Sequence, residues 1–218
     1  MNSYLQRREH SAAEGYSYQE RGIGRQDRQV FISLGPGVGS IHEKDLQLLV
    51  SFHGYLTAGA FVGLQMLFLG RRLLAVEDNE RIHVQCETAN CLPDPFQIIG
   101  GSTIGNKGLI IRDTGKLAVT ITRHTPPGEK ACGVRLILDP KKTKAFPKLH
   151  AWYLNTEKVP HEVVVPILKE AGEKVYSYTF VPVPVFGKKH KKVAICTRCG
   201  EPFVKRVPND RRCIDCVD

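Results

Sequence analysis

The chain has 218 residues, enough for one large domain or one medium domain with a small appendage. Apolar residues make up 42% and charged residues 24%, with a net charge of +9, the balance of a soluble globular protein able to bury a core. The longest apolar run, LTAGAFVGLQMLFLG, is shorter than the roughly 20 residues of a membrane span, and MNSYLQRREH lacks the apolar stretch of a secretory signal, so a cytoplasmic protein is expected.

Residues 1–29 are polar and read as a flexible N-terminal arm. QVFISLGPGVGS follows as a short strand and a glycine-rich turn; no Lys-Ser/Thr pair or full dinucleotide fingerprint follows the glycines, so an ordinary turn is favoured over a phosphate loop. HEKDLQLLVSFHG places Leu46, Leu49 and Val50 at helical spacing. A second helix is predicted from Ala58 to Leu74. It is apolar nearly all round and so buried on most sides, and Gly59, Ala60 and Gly63 let another backbone approach closely.

Strands come next. RIHVQCE alternates apolar Ile82, Val84 and Cys86 with polar partners, which puts His83 on the solvated face. LIIRDTGKLAVTITR reads as a hairpin turning at Asp113-Thr114-Gly115, and GVRLILDP as a strand stopped by Pro140. Cys132, just before it, is expected to be a packed thiol. PHEVVVPILKEAGEKV is predicted helical to about Gly172, and YSYTFVPVPVF is a last strand whose Pro182 and Pro184 suit a sheet edge. The series predicts an α+β core over residues 30–186 with a mostly antiparallel sheet and packed helices. Residues 187–192 form a basic linker.

Residues 193–218 carry the strongest motif. Cys196-x-x-Cys199 and Cys213-x-x-Cys216 are separated by 13 residues, and each pair can give two thiolates to one tetrahedral ion. The segment holds few apolar residues, so a structural zinc, one per chain, is expected to hold a small treble-clef or ribbon-like finger together. Four thiolates leave no open position, which excludes a catalytic role for that metal. From Lys188 to Asp218 nine Lys or Arg face four Asp or Glu, a balance of +5 that leaves +4 of the total +9 to the other 187 residues. Aromatic residues are sparse there, so a protein partner is favoured over nucleic acid, which stays an alternative.

FHGYLTAGAFVGLQ followed by ETANCLPDPFQIIGGSTIGNKGLIIRDTGKLAVTI resembles the formylmethanofuran dehydrogenase E-subunit family, over roughly Asp45 to Arg123. His53, Gly54 and Gly59 match its first motif, whereas Tyr55, Thr57 and Ala58 replace the family's His, Cys and Pro. In the second motif Cys91, Asp94, Gln97, Gly101, Thr103, Gly105, Asp113, Gly115 and Lys116 match, and Ser102 replaces Cys. The resemblance implies an α+β core, a homodimer of intertwined chains, and a zinc module attached to the core of the same or the partner chain. It also implies a methanogenesis-related family linked by its name to the molybdenum or tungsten enzyme that reduces CO₂ to formylmethanofuran.

His53 and Cys91 remain as a candidate second metal site in the core, which water, Cys86 or a partner group would have to complete. The alternative is a buried thiol and a histidine hydrogen-bonded near a helix end. Asp94, Gln97, Asp113 and Lys116 would make an acid–base set only if they converge; turn or sheet-edge roles are the alternative. The function expected is that of a metal-binding accessory or regulatory protein, not catalytic on its own. An enzyme using a core metal at His53 and Cys91 is the alternative, and a nucleic-acid-binding regulator the second.

Overall fold

The computed structural model describes residues 41–125, 130–184 and 191–217. The N-terminal arm, the QVFISLGPGVGS segment and most of the basic linker lie outside them. Helix α1 (Glu43–His53) starts with a capping box in which His42 N–H donates to Asp45 Oδ2, and ends at Gly54, whose φ of 99° only glycine adopts easily. Helix α2 (Ala58–Leu73) is capped by Thr57, whose hydroxyl accepts from Ala60 N–H. Thirteen of its residues are buried, so it forms the centre of the core, as its all-round apolar sequence demands.

Strand β1 (Ile82–Cys86) alternates buried and half-buried positions. A short helix α3 (Asp94–Ile98) precedes β2 (Leu109–Ile111), β3 (Ala118–Arg123) and β4 (Lys130–Leu138). Helices α4 (Pro140–Thr143), α5 (Pro147–Tyr153) and α6 (His161–Ala171) lead to the edge strand β5 (Tyr176–Pro184). The sheet order is β2-β1-β3-β4-β5, antiparallel except for the parallel β1–β2 pair. A separate ribbon of β6 (Val193–Ile195) and β7 (Pro202–Val204) ends the fold.

Two expectations need correction. LIIRDTGKLAVTITR is not a hairpin: β2 and β3 lie on opposite sides of β1, which pairs with both. The Asp113-Thr114-Gly115 turn exists, but its N–H groups are spent on β1's end, since Thr114 and Lys116 donate to Glu87 O. A period-2 pattern reports which face a residue occupies, not which strand lies next to it. Cys132 is exposed rather than packed, at the end of β4 that pairs with the end of β5. Its cross-strand partner Pro182 is exposed too, as are Phe180 and Tyr178, which pair with the buried Val134 and Leu136.

The glycines of α2 are close-contact positions. A Cβ on Gly63 would lie 2.4 Å from Leu92 O, and one on Gly70 would meet Ile121 Cδ1 at 2.3 Å. The helix therefore lies directly on the chain entering α3 and on the β3–β4 floor.

Polar groups inside this core are paired. Gln65 donates to Leu168 O at 2.9 Å and accepts from the buried Tyr176 hydroxyl at 2.7 Å, tying α2 to α6 and β5. Tyr176→Phe would leave the Gln65 oxygen buried without a donor, and is expected to cost about 1–3 kcal/mol in urea unfolding. On the other face of the sheet, Glu87 and Arg135 form a two-pronged pair at 2.6 and 2.8 Å.

The Arg135 hydrogen bonds hold the Glu87 carboxyl below the usual carboxylate range. A depressed folded-state value adds stability that is present above the unfolded value of about 4.3 and lost as pH falls through the folded one. Glu87→Gln is expected to lower stability at neutral pH and to flatten its fall in acid, measured by unfolding at several pH values.

Candidate metal centre

The ribbon places two cysteine pairs at one end. Cys196 follows β6 directly, and its N–H donates to Glu201 O at 2.8 Å, closing the knuckle that leads into β7. Gly200 N–H donates to Cys196 O at 2.9 Å with a φ of 75°, so this position needs glycine. Cys213 N–H donates to Cys196 Sγ at 3.4 Å.

The second pair is brought in by the returning chain. Asp210 accepts from the N–H groups of Arg206 and Val207 at 2.7 and 3.0 Å and fixes the turn before it. Thr197 N–H then donates to Arg211 O at 2.9 Å, and Cys213 precedes, and Cys216 ends, the module's 3-10 turn Ile214–Cys216. The module is thus a ribbon with one 3-10 turn.

The four Sγ atoms all lie within 4.8 Å of one another, and Cys199 Sγ stands 3.9 Å from Cys213 Sγ. A disulfide would need about 2.05 Å, whereas four sulfurs at about 2.3 Å from a tetrahedral ion stand roughly 3.8 Å apart. All seven cysteines are free thiols, and the cluster can hold a metal ion.

The donor set fits that ion chemically. Backbone N–H groups of Cys199 and Cys213 pull the Cys196 thiol down to about 6, while the hydrogen bond with Cys213 and the crowding of the other sulfurs push Cys216 up to about 12. Four sulfurs this close cannot all ionise without a cation between them, so metal entry displaces protons.

The core places its candidates differently. His53 ends α1 and Asp94 opens α3, and His53 Nδ1 stands 2.5 Å from Asp94 Oδ2. Cys91 is half-buried with its Cβ against Gly59, where an added Cβ would meet it at 3.3 Å. Cys86 is buried, and burial first and the Asp94 charge second push its thiol up to about 12. Among the described residues, only the four C-terminal cysteines form a group of three or more metal-ligating side chains, so His53 and Cys91 lack a gathered third ligand.

The residues standing in the family's cysteine positions are engaged elsewhere: Thr57 caps α2, and the Ser102 hydroxyl donates to Ile82 O at 2.8 Å, at the opposite end of β1 from Cys86. Asp113 accepts from Gly115 N–H in its turn, and Lys116 is exposed, so neither converges on Asp94. His83 is half-buried and meets the ring of His124.

Sequence reasoning passed over His161 and noted Tyr55 only as a departure from the family motif. His161 Nδ1 accepts from Ala58 N–H at 3.3 Å, and Tyr55 contacts the rings of both His53 and His161. The sequence separation of 103 between Ala58 and His161 hid this contact from any local pattern.

No helix among the described residues is long and apolar enough to cross a membrane. A crystal structure of a tungsten formylmethanofuran dehydrogenase E-subunit (FmdE)-like protein from Syntrophus aciditrophicus matches with a TM-score of 0.68 at 26% identity, covering 83% of this chain and 94% of that one. A probable S-adenosyl-L-methionine-binding protein of Archaeoglobus fulgidus is 26% identical over 193 residues, 76% of this chain, and the chain spans 50% of that relative's length. The model of the family described as FmdE, molybdenum formylmethanofuran dehydrogenase operon, matches residues 52–181. That span is more than half of the chain and reaches beyond the motifs around His53 and Cys91 to the edge strand: this chain belongs to the FmdE family.

Proposed function

We propose that this chain is a zinc-bearing accessory or regulatory member of its family, acting through contacts rather than catalysing a reaction alone. The observation that carries this reading is the four-cysteine cluster. Thiolates would fill every position of a tetrahedral ion, so zinc there shapes the ribbon and offers no site to a substrate. In this reading residues 30–186 form the core, 187–192 a linker, and 193–218 a contact module.

The surface of that module supports a protein partner. Val193 pairs with Val204 and Ile195 with Pro202, so four apolar side chains share one side of the ribbon, all exposed. Apolar surface gathered in this way suits protein contact. A second copy of the chain is the first partner to test. Light scattering on the full chain should give twice 24.4 kDa; a monomer at all concentrations would contradict the homodimer.

Exposed Lys191, Lys192, Arg206, Arg211 and Arg212 favour nucleic acid as a second reading. It predicts binding to duplex or single-stranded DNA or RNA that weakens steeply with salt and vanishes when residues 187–218 are removed. Salt-insensitive or undetectable binding would eliminate it. An enzyme with a metal at His53 and Cys91 predicts that a chain ending near Phe186 still retains metal. A metal-free truncated chain would remove that reading.

A further inference from the structure

The connection between α1 and α2 carries aromatic groups that the cysteine centre does not involve. His53 Nδ1 stands 2.5 Å from Asp94 Oδ2. An ionised carboxylate only accepts, so the neutral His53 ring keeps its proton on Nδ1 and presents a lone pair on Nε2. His161 is fixed the opposite way. Its Nδ1 accepts the N–H of Ala58 at 3.3 Å, so its proton lies on Nε2, where it can be donated. Among the described residues neither Nε2 has a hydrogen-bond partner.

Tyr55 connects the two. Its ring centroid is 5.6 Å from that of His53 and 6.1 Å from that of His161, yet the residue is 58% exposed. An exposed aromatic ring beside both a fixed acceptor and a fixed donor suits a flat molecule with both kinds of group on its edge.

We propose that His53, Tyr55 and His161 form a binding site for a small planar heterocycle bearing N–H and C=O groups, of the nucleobase kind. His53 Nε2 accepts from the ligand's N–H, His161 Nε2–H donates to its carbonyl, and Tyr55 covers its face. Asp94 is a positioning residue: it holds the His53 tautomer and touches no ligand. The site goes beyond the contact function and does not depend on what the four cysteines hold.

Two NMR measurements on the full chain test it. Side-chain ¹⁵N correlation at about pH 8.5, well above the ordinary imidazole value of about 6.5, should show His53 protonated on Nδ1 and His161 on Nε2. Asp94→Ala should return His53 to a tautomer mixture while leaving His161 unchanged. The reverse tautomer at either histidine in the unaltered chain overturns the assigned polarity.

Uracil is then titrated as the probe. Saturable shifts at both imidazoles and Tyr55 are expected, with a Kd of about 1 mM, as suits a small fragment. Binding should weaken at least fivefold for Tyr55→Ala, an exposed site whose loss leaves the core packed, and equally for 1,3-dimethyluracil, which has no N–H. Absence of saturable shifts up to the solubility limit overturns the site. Equal binding of uracil and its dimethyl derivative overturns the assigned role of His53.

Discussion

Treating the full chain with a chelator under reducing conditions is expected to unfold residues 193–217 while the core stays folded. The apolar side chains of the ribbon contribute little cohesion, for Val193 is 63% exposed, Ile195 62% and Ile214 67%. Full burial of such a residue contributes about 1.5–3 kcal/mol, and these achieve a fraction of it. Ordering each residue costs about 1.5 kcal/mol. A four-thiolate ion contributes roughly 10–16 kcal/mol, the largest favourable term available to the segment. Cys196→Ser or Cys216→Ser should reproduce the loss, since both sulfurs are buried inside the cluster. Amide spectra read the result: ribbon signals collapse to random-coil positions and those of Gln65 and Tyr176 stay. A metal-stripped, reduced chain whose ribbon signals remain dispersed would show that the segment folds by other means.

Gly63→Ala is expected to be the most damaging small substitution in the core, costing about 1–3 kcal/mol net of any helix gain. Alanine in a helix interior is worth up to about 1 kcal/mol over glycine. Against that stands a Cβ 2.4 Å from Leu92 O and 3.1 Å from Pro95 Cγ, where a backbone atom rather than a side-chain tip must yield. Moving that backbone also moves Asp94, so the His53 contact should lengthen. Gly59→Ala supplies the comparison: its Cβ would meet Cys91 Cβ at 3.3 Å, tight but close to ordinary contact. Denaturant unfolding of the two variants should separate them by at least about 1 kcal/mol in midpoint-derived stability. Equal stabilities would mean that α2 and the Leu92 segment are free to part without cost.

The sequence was most readable where chemistry and local period coincide. The cysteine spacing announced the cluster, because a shared ion needs few residues in fixed positions and little else. The all-round apolar α2 announced a buried helix, and Gly63 its close approach. Pro182 and Pro184 correctly marked β5 as an edge, since a residue without an N–H cannot serve a central strand.

Strand order was not readable. Val119 and Ile121 alternate equally well beside β2 or beside β1, and the choice is made by β1 offering both of its edges. Cys132 lies near the start of a strand, a position that says nothing of what covers it; burial there is a property of the whole fold. The motif comparison placed His53 and Asp94 in one family but could not say that they touch. The second histidine at α2's start, His161, matched no motif. Its meeting with Ala58 joins residues on helices far apart in sequence.

The account rests on the cysteine cluster being a metal site, and elemental analysis of the purified full chain combined with counting of reactive thiols tests this most directly. One zinc per chain is predicted, with four further cysteines becoming reactive towards thiol reagents when a chelator is added. A metal-free chain that is folded throughout, or one in which Cys196–Cys199 and Cys213–Cys216 are found as disulfides, would contradict it.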